Sequence, residues 1–309
     1  MDSTKVAVIA TVYNESSDIT AFLDALKNQT FTPKEVIIVD GGSTDGTFDL
    51  LKNYAAGWKL LRIFQLPGNR SMGRNFAMAH TACPLIAVTD AGCLPHPDWL
   101  FRIIKPFADK NVQIVSGYYE GLAKNIFQSC LIPYVFVMPD QAGKTEFFPS
   151  TRSMALRRSV FLASGGFDPR LFHNEDYAYA VKLKWLGYKF TFAKDAVVSW
   201  LPRKNLKSAA WMFMRFAIGD VQARIFRPRV KKLALRTLAF IFLIFLALQM
   251  PALLPLVYLL LLLYFILAIV KNYRYVHDLR AVFWLPVLQV TADASVLFGS
   301  LVGLFSIVV

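Results

Sequence analysis

Apolar positions over the first ninety residues follow two rhythms that alternate. Short unbroken runs, VAVIA (6–10), EVIIVD (35–40), KLLRIF (59–64) and PLIAVTD (84–90), end on polar or glycine-rich punctuation and predict buried strands. Between them, ITAFLDALKN puts Ile19, Phe22, Leu23 and Leu26 on one helical face. A second helix is predicted after GGSTDGT and a third over Arg74 to Thr81. This alternation predicts an α/β fold with a mostly parallel sheet and ligands at the carboxyl ends of its strands. The polar residues of most interest fall at such ends: Thr11, Tyr13 and Glu15 after the first strand, Asp40 closing the second, Asp90 closing the fourth. The start, MDSTKVAVIA, lacks the basic opening and long apolar stretch of a signal peptide and reads as the first strand.

Past residue 203 the pattern changes. Residues 204–232 form a transition in which Leu206, Ala210, Phe213, Ala217 and Val221 make one stripe, with Ser208, Arg215, Gly219 and Gln222 roughly opposite. That stripe suits a helix at a membrane interface or one packed on the preceding domain. From Leu233 to Val270 the only charge is Arg236, and from Ala281 to Val309 the only charge is Asp293. Blocks of this length and polarity predict membrane-embedded helices over about 233–250, 251–270 and 281–309, with Pro251 and Pro255 at the first turn. The expected organisation is a catalytic-type domain (1–203), an interfacial linker (204–232) and a transmembrane region (233–309).

Composition agrees with this division. The 309 residues are 55% hydrophobic and 14% aromatic, with a mean hydropathy of +0.42. Net charge is +13, and much of the excess flanks the apolar blocks: Arg224, Arg227, Arg229, Lys231 and Lys232 before them, Lys271, Arg274 and Arg280 between. Such placement fits anionic headgroups and the positive-inside rule better than a nucleic-acid groove, so membrane lipids are expected partners and nucleic acid is not. It also expects a multi-pass protein of the cytoplasmic membrane, with its first domain on the cytosolic side. Cys83, Cys93 and Cys130 form no CxxC and suit reduced, structural thiols; the four histidines show no metal-ligand spacing.

Four ordered segments carry a resemblance: VAVIATVYNES, VIIVDGGSTDGT, GNRSMGRNFAMAHTACPLIAVTDAGC and FFPSTRSMALRRSVFLASGGFDPRLFHNEDYAYAVKLKWLGYKF. Together they resemble the family 2 inverting glycosyltransferases of GT-A fold over about residues 5 to 200, and the apolar blocks resemble the C-terminal anchors of many such enzymes. The resemblance implies a nucleotide-sugar donor, with Thr11, Tyr13 and Glu15 meeting base and ribose and Asp40 accepting a hydrogen bond from one of them. Arg70 and Arg74 suit a diphosphate in charge and geometry. Asp90 holds the first position of the family's Asp-x-Asp signature, which in relatives places a divalent cation, Mg²⁺ or Mn²⁺, on the diphosphate. Glu175-Asp176 matches the Glu-Asp motif, whose Asp takes the acceptor's proton. Arg152 is expected at an acceptor or a phosphate.

Two positions depart from the pattern. Gly92 stands where the second acid of the signature belongs, leaving Asp90 as the only expected metal ligand, and Gly41 stands where many relatives carry a further Asp. The implied activity is transfer of a sugar to a hydroxyl of a lipid-linked or polymeric saccharide. A polyprenyl-phosphate glycosyltransferase and a non-catalytic nucleotide-sugar-binding membrane scaffold are the alternatives. Asp176 and Glu175 also fit a helix cap or dipole partner.

Overall fold

The computed structural model describes residues 5–144 and 146–307. The alternating half comprises β1 (Val6–Val12), α1 (Ile19–Lys27), β2 (Glu35–Asp40), α2 (Thr47–Ala56), β3 (Leu61–Gln65), α3 (Arg70–Ala79) and β4 (Leu85–Val88). Then come β5 (Cys93–Pro95), α4 (Trp99–Ile104), β6 (Ile114–Gly121), α5 (Ile126–Val135), β7 (Met154–Arg157), α6 (Arg158–Ser164), α7 (Glu175–Trp185) and β8 (Phe190–Trp200). Four helices follow: α8 (Leu206–Gln222), α9 (Pro228–Gln249), α10 (Leu254–Tyr273) and α11 (Ala281–Ile307). The apolar block expected over 281–309 is thus described to 307; 308 and 309, like residues 1–4 and 145, lie outside the described residues.

The chain forms two compact units, the first running up to Leu122 and resuming at Met138–Leu201, the second made of Ala123–Val137 and the chain from Pro202 onward. The first unit holds one mixed sheet in the order β3-β2-β1-β4-β7-β6-β8-β5. Its β3-β2-β1-β4 part is parallel, and β7 then joins β4 antiparallel. Both faces are covered, which is why the strands read as solid apolar runs. Val8, Ala10, Val36 and Ile38 face one core with Phe22, Leu23 and Trp99. Ile9, Ile37 and Val39 face the other with Met78, Phe167 and Tyr179.

Two expected boundaries shift for local reasons. α3 starts at Arg70 rather than Arg74, because the Asn69 side chain caps it, accepting from the Met72 backbone N–H at 3.0 Å. α3 also lies close on β1: a β-carbon at Gly73 would stand 2.8 Å from Thr11 Cγ2, so glycine is what admits the helix here. β4 ends at Val88, and Asp90 sits in the turn beyond it, closed by Cys93 N–H donating to the Asp90 carbonyl at 2.9 Å. All three cysteines are free and buried.

In the second unit, α8 lies against α11. A β-carbon at Gly299 would be 2.4 Å from the Met214 carbonyl oxygen, and Gln222 Nε2 donates to Ser306 Oγ at 3.2 Å. The expected stripe is buried at Phe213, Ala217 and Val221, and so is Gly219, which the sequence pattern put on the opposite face; the cover is α11, which that pattern did not reveal. Tyr134 of α5 donates to the Leu285 carbonyl at 2.7 Å. The lone charges of the two apolar blocks meet: Arg236 Nη2 is 2.6 Å from Asp293 Oδ2, which also accepts from Tyr264 OH at 2.9 Å and Gln289 Nε2 at 3.1 Å.

Among the described residues two helices are long and apolar enough to cross a membrane, Pro251–Tyr273 and Ala281–Ser306. Leu238, Phe242, Tyr258, Leu267 and Phe305 on α9–α11 are all more than half exposed, a surface that calls for an apolar surrounding. The first expected helix, 233–250, begins earlier as α9, with Arg229, Lys231, Lys232 and Arg236 in its first half.

Candidate functional site

Strand register puts Val12 beside Asp40 and Asp40 beside Gln65, so the ends of β1, β2 and β3 form one edge. Two loops leave that edge and brace each other. Asn14 N–H donates to Ser43 Oγ at 2.9 Å, Thr44 N–H to Asn14 Oδ1 at 2.9 Å, and Glu15 N–H to Thr47 Oγ1 at 2.9 Å. Ser16 N–H reaches Asp45 at 3.1 Å. The Thr47 hydroxyl above all holds the Asp45 carboxyl far below the usual range. Tyr13 stands out from this frame, 57% exposed, while Thr11 Oγ1 is buried and without a hydrogen-bond partner among the described residues.

Asp40 does not present its carboxylate to solvent. It is fully buried and accepts from Gly42 N–H at 3.1 Å, Ser43 N–H at 2.9 Å, the Ser43 hydroxyl and Gln65 Nε2 at 3.1 Å. In this structure the acid fixes the GGST turn after β2.

α3 organises the rest of the site. From its start, Asn69 Nδ2 donates to the Pro169 carbonyl at 2.6 Å. Nearly two turns on, the Asn75 side chain both donates to the Phe167 carbonyl at 2.8 Å and accepts from Phe167 N–H at 2.9 Å. These contacts clasp the segment leading to α7. Arg74, between the two asparagines, is 1% exposed; its Nη2 is 2.8 Å from Asp90 Oδ1 and its Nη1 is 2.7 Å from Glu175 Oε1. Two of its guanidinium nitrogens are thus committed to the acids. Glu175 is likewise buried, with its Oε1 turned to Arg74. Arg70, one turn earlier, is exposed and makes no ion pair among the described residues.

Asp90 is half-buried. Burial opposes its ionisation, but the guanidinia of Arg74, then Arg152 and Arg70, outweigh burial and hold its carboxyl below the ordinary value. Its second oxygen accepts from Thr151 Oγ1 at 3.2 Å. Asp176, the second residue of α7, accepts from Ser150 Oγ at 2.8 Å and from Tyr177 N–H at 2.8 Å. Ser150 in turn lies 3.3 Å from Arg152 Nη1, and the Arg152 guanidinium sits 5.2 Å over Tyr119 and 4.8 Å over Trp200. The structure thus draws Asp90, Arg74, Glu175, Asp176 and Arg152 into one network and leaves Asp40 outside it.

Asn69, Asn75, Ser150, Tyr119 and Trp200 were missed by the sequence reading. The pair of asparagines around two arginines in NRSMGRN was the available signal; nothing local marks the other three, which long-range strand pairing brings in. Among the described residues no group of three or more His, Cys, Asp or Glu could hold a metal ion.

A family model, Glycosyl transferase family 2, matches residues 7–163. Similar sequences include glycosyltransferase AglE of Haloferax volcanii, 28% identical over 74% of this chain and 79% of that one. O-antigen chain rhamnosyltransferase RfbN of Salmonella typhimurium is 29% identical over 66% of this chain and 69% of its own. Succinoglycan biosynthesis protein ExoA of Rhizobium meliloti is 24% identical over 71% and 70%. Among solved structures, mannosyltransferase PcManGT of Pyrobaculum calidifontis, in complex with GDP-Man and Mn²⁺, aligns with TM-score 0.59 at 23% identity, covering 95% of this chain and 87% of that one. TarS of S. aureus in complex with UDP aligns with TM-score 0.53 at 18% identity, covering 70% and 65%.

Proposed function

Because the chain belongs to glycosyl transferase family 2, whose model spans more than half of it, we propose that it moves a sugar from a nucleotide-sugar donor to a hydroxyl of a lipid-linked or polymeric saccharide, with inversion. The observation that carries this reading is the meeting of Asp90 and Glu175 on one buried guanidinium, that of Arg74, with Asp176, the residue after Glu175, held at the start of α7 by Ser150. Single displacement at an anomeric carbon needs one base on the face opposite the leaving diphosphate. Asp176 takes that role: it removes the acceptor hydroxyl's proton as the oxygen attacks. Glu175 and Arg74 hold α7 and the Asp90 turn in register. On the donor side, Thr11, Tyr13 and Glu15 at the end of β1 meet base and ribose, and Arg70, exposed at the start of α3, meets phosphate. Asp40 supports this region indirectly, through its turn.

The saccharide acceptor is supported by the relatives, which include an O-antigen chain rhamnosyltransferase and a succinoglycan biosynthesis protein. PcManGT carries Mn²⁺ with its nucleotide sugar. Here a divalent cation arriving with the donor would find one carboxylate, Asp90, one of whose oxygens is already paired with Arg74. The residues present do not build a cation site by themselves, and no step above depends on one. The two long apolar helices and the basic residues at 224–236 and 271–280 support a multi-pass protein of the cytoplasmic membrane with the sheet domain on the cytosolic side and anionic lipid headgroups as partners.

The test is nucleoside diphosphate release by the full chain, purified in native lipids, across a panel of nucleotide sugars with lipid-linked saccharides as acceptors. The reading expects acceptor-dependent release with one donor class and a product of inverted configuration. Transfer confined to polyprenyl phosphate, or no release with any donor, would contradict it.

A further inference from the structure

The space beside Asp90 that a second acid would fill is open. A β-carbon placed on Gly92 would meet nothing nearer than Trp200, with Nε1 at 3.7 Å, an ordinary contact. Crowding therefore does not explain the glycine. Pairing of Cys93 with Trp200 across β5 and β8 is what brings the indole there. Over that same indole lies the Arg152 guanidinium, at 4.8 Å, with the Tyr119 ring 5.2 Å away. Two aromatic rings thus hold the side chain by cation–π contact without neutralising its charge.

The two inner arginines differ in one respect. Arg74 is spent on Asp90 and Glu175, whereas half-buried Arg152 makes no ion pair with a carboxylate among the described residues and reaches only the Ser150 hydroxyl. A guanidinium fixed by stacking, part-desolvated and with no carboxylate in direct contact among the described residues is a binding site for a phosphate-type anion, which it meets bidentately. The charge balance agrees. Asp90 stands among three guanidinia, those of Arg74, Arg152 and Arg70, which together favour its charge; a second acid at position 92 would offset part of that positive charge and favour a cation before a diphosphate could approach.

We propose that Arg152, held on Trp200 and Tyr119 beside Gly92, binds the donor's diphosphate and does the work that a second carboxylate and its cation would do. This rests on the glycosyltransferase reading and narrows Arg152 from acceptor or phosphate to the leaving diphosphate. It follows that nucleotide binding does not require a divalent cation, and that Gly92 and Arg152 act as a pair.

The experiment is direct binding of UDP, GDP, ADP, CDP and dTDP to the full chain in native lipids, in excess EDTA and in Mn²⁺. The nucleoside diphosphate that binds is expected to do so with similar affinity in both. Arg152→Gln should weaken it roughly 10- to 100-fold in EDTA, the loss of a charge-assisted contact. Arg152→Lys should recover part of the loss, since charge returns without the planar fork, and an unchanged thermal midpoint in both variants would show that the fold is kept. In Gly92→Asp/Arg152→Gln, binding should return in Mn²⁺ and remain lost in EDTA. Binding by the unmodified chain that vanishes in EDTA, or that Arg152→Gln leaves unchanged, would overturn the assignment. No binding of any of the five diphosphates would overturn the donor reading itself, and this assignment with it.

Discussion

Arg74 Nη1 lies 2.7 Å from Glu175 Oε1, and both side chains are buried, at 1% and 4% exposure. Helix α3 and the start of α7, far apart in sequence, are joined by this contact, and the same guanidinium reaches on to Asp90. Removing it would leave Glu175 buried without a counter-charge, at a cost of about 3–5 kcal/mol. Arg74→Gln should therefore lower the thermal midpoint of the full chain and abolish transfer, whereas Glu175→Gln, which keeps an oxygen for the guanidinium, should do less. A midpoint unmoved in Arg74→Gln would show that the pair does not join the two elements.

The Asp90 carboxyl is held below its ordinary value, against burial, chiefly by Arg74, so the folded protein binds this proton less tightly than the unfolded chain. The pairing thus contributes stability that is complete above the unfolded value of about 4 and is lost as pH falls through the lowered folded value. The midpoint difference between the unmodified chain and Asp90→Asn should be largest above about pH 4 and shrink below it. A difference independent of pH would mean that Asp90 stabilises by shape alone.

For Asp40 the expected outcome is structural. Its carboxylate accepts four hydrogen bonds from the turn after β2 and from Gln65. Asp40→Ala should cost about 1–3 kcal/mol of stability by leaving those donors unsatisfied. Limited proteolysis should then cut within residues 41–47, the loop that braces the end of β1. Loss of nucleotide binding with stability and proteolysis unchanged would instead return Asp40 to direct contact with the donor.

Much of the fold could be read because each strand is covered on both faces. Burial of both faces turns VAVIA and EVIIVD into solid apolar runs, and β2 lies where EVIIVD predicts it. The start of α3 was misplaced because capping by Asn69 is a side-chain event in a stretch with little apolar periodicity. Motif order located Asp90, Arg152 and Asp176 in one site, but motif order says nothing of depth. The burial of Arg74, Glu175 and Asp40 was not legible, since depth depends on partners distant in sequence: Glu175 for Arg74, Gln65 for Asp40. The burial of Gly219 was illegible for the same reason: α11, its cover, begins some sixty residues later.

In the apolar blocks, Asp293 receives Arg236, Tyr264 and Gln289. Breaking such a pair on one side is destabilising, while replacing both members by apolar groups is often neutral. Arg236→Leu and Asp293→Leu should each lower the thermal midpoint in lipid, and the double variant should recover most of the loss. Two additive losses would show that the residues do not act on each other.

If Asp176 is the base of an inverting sugar transfer, Asp176→Asn, which keeps the shape and removes the basicity, must slow the chemistry and spare donor binding. Turnover should fall by roughly 10²- to 10⁴-fold, with nucleoside diphosphate affinity unchanged in the same preparation. Turnover close to that of the unmodified chain would contradict the account, and so would an equal loss of nucleotide binding, which would make Asp176 part of the donor site instead.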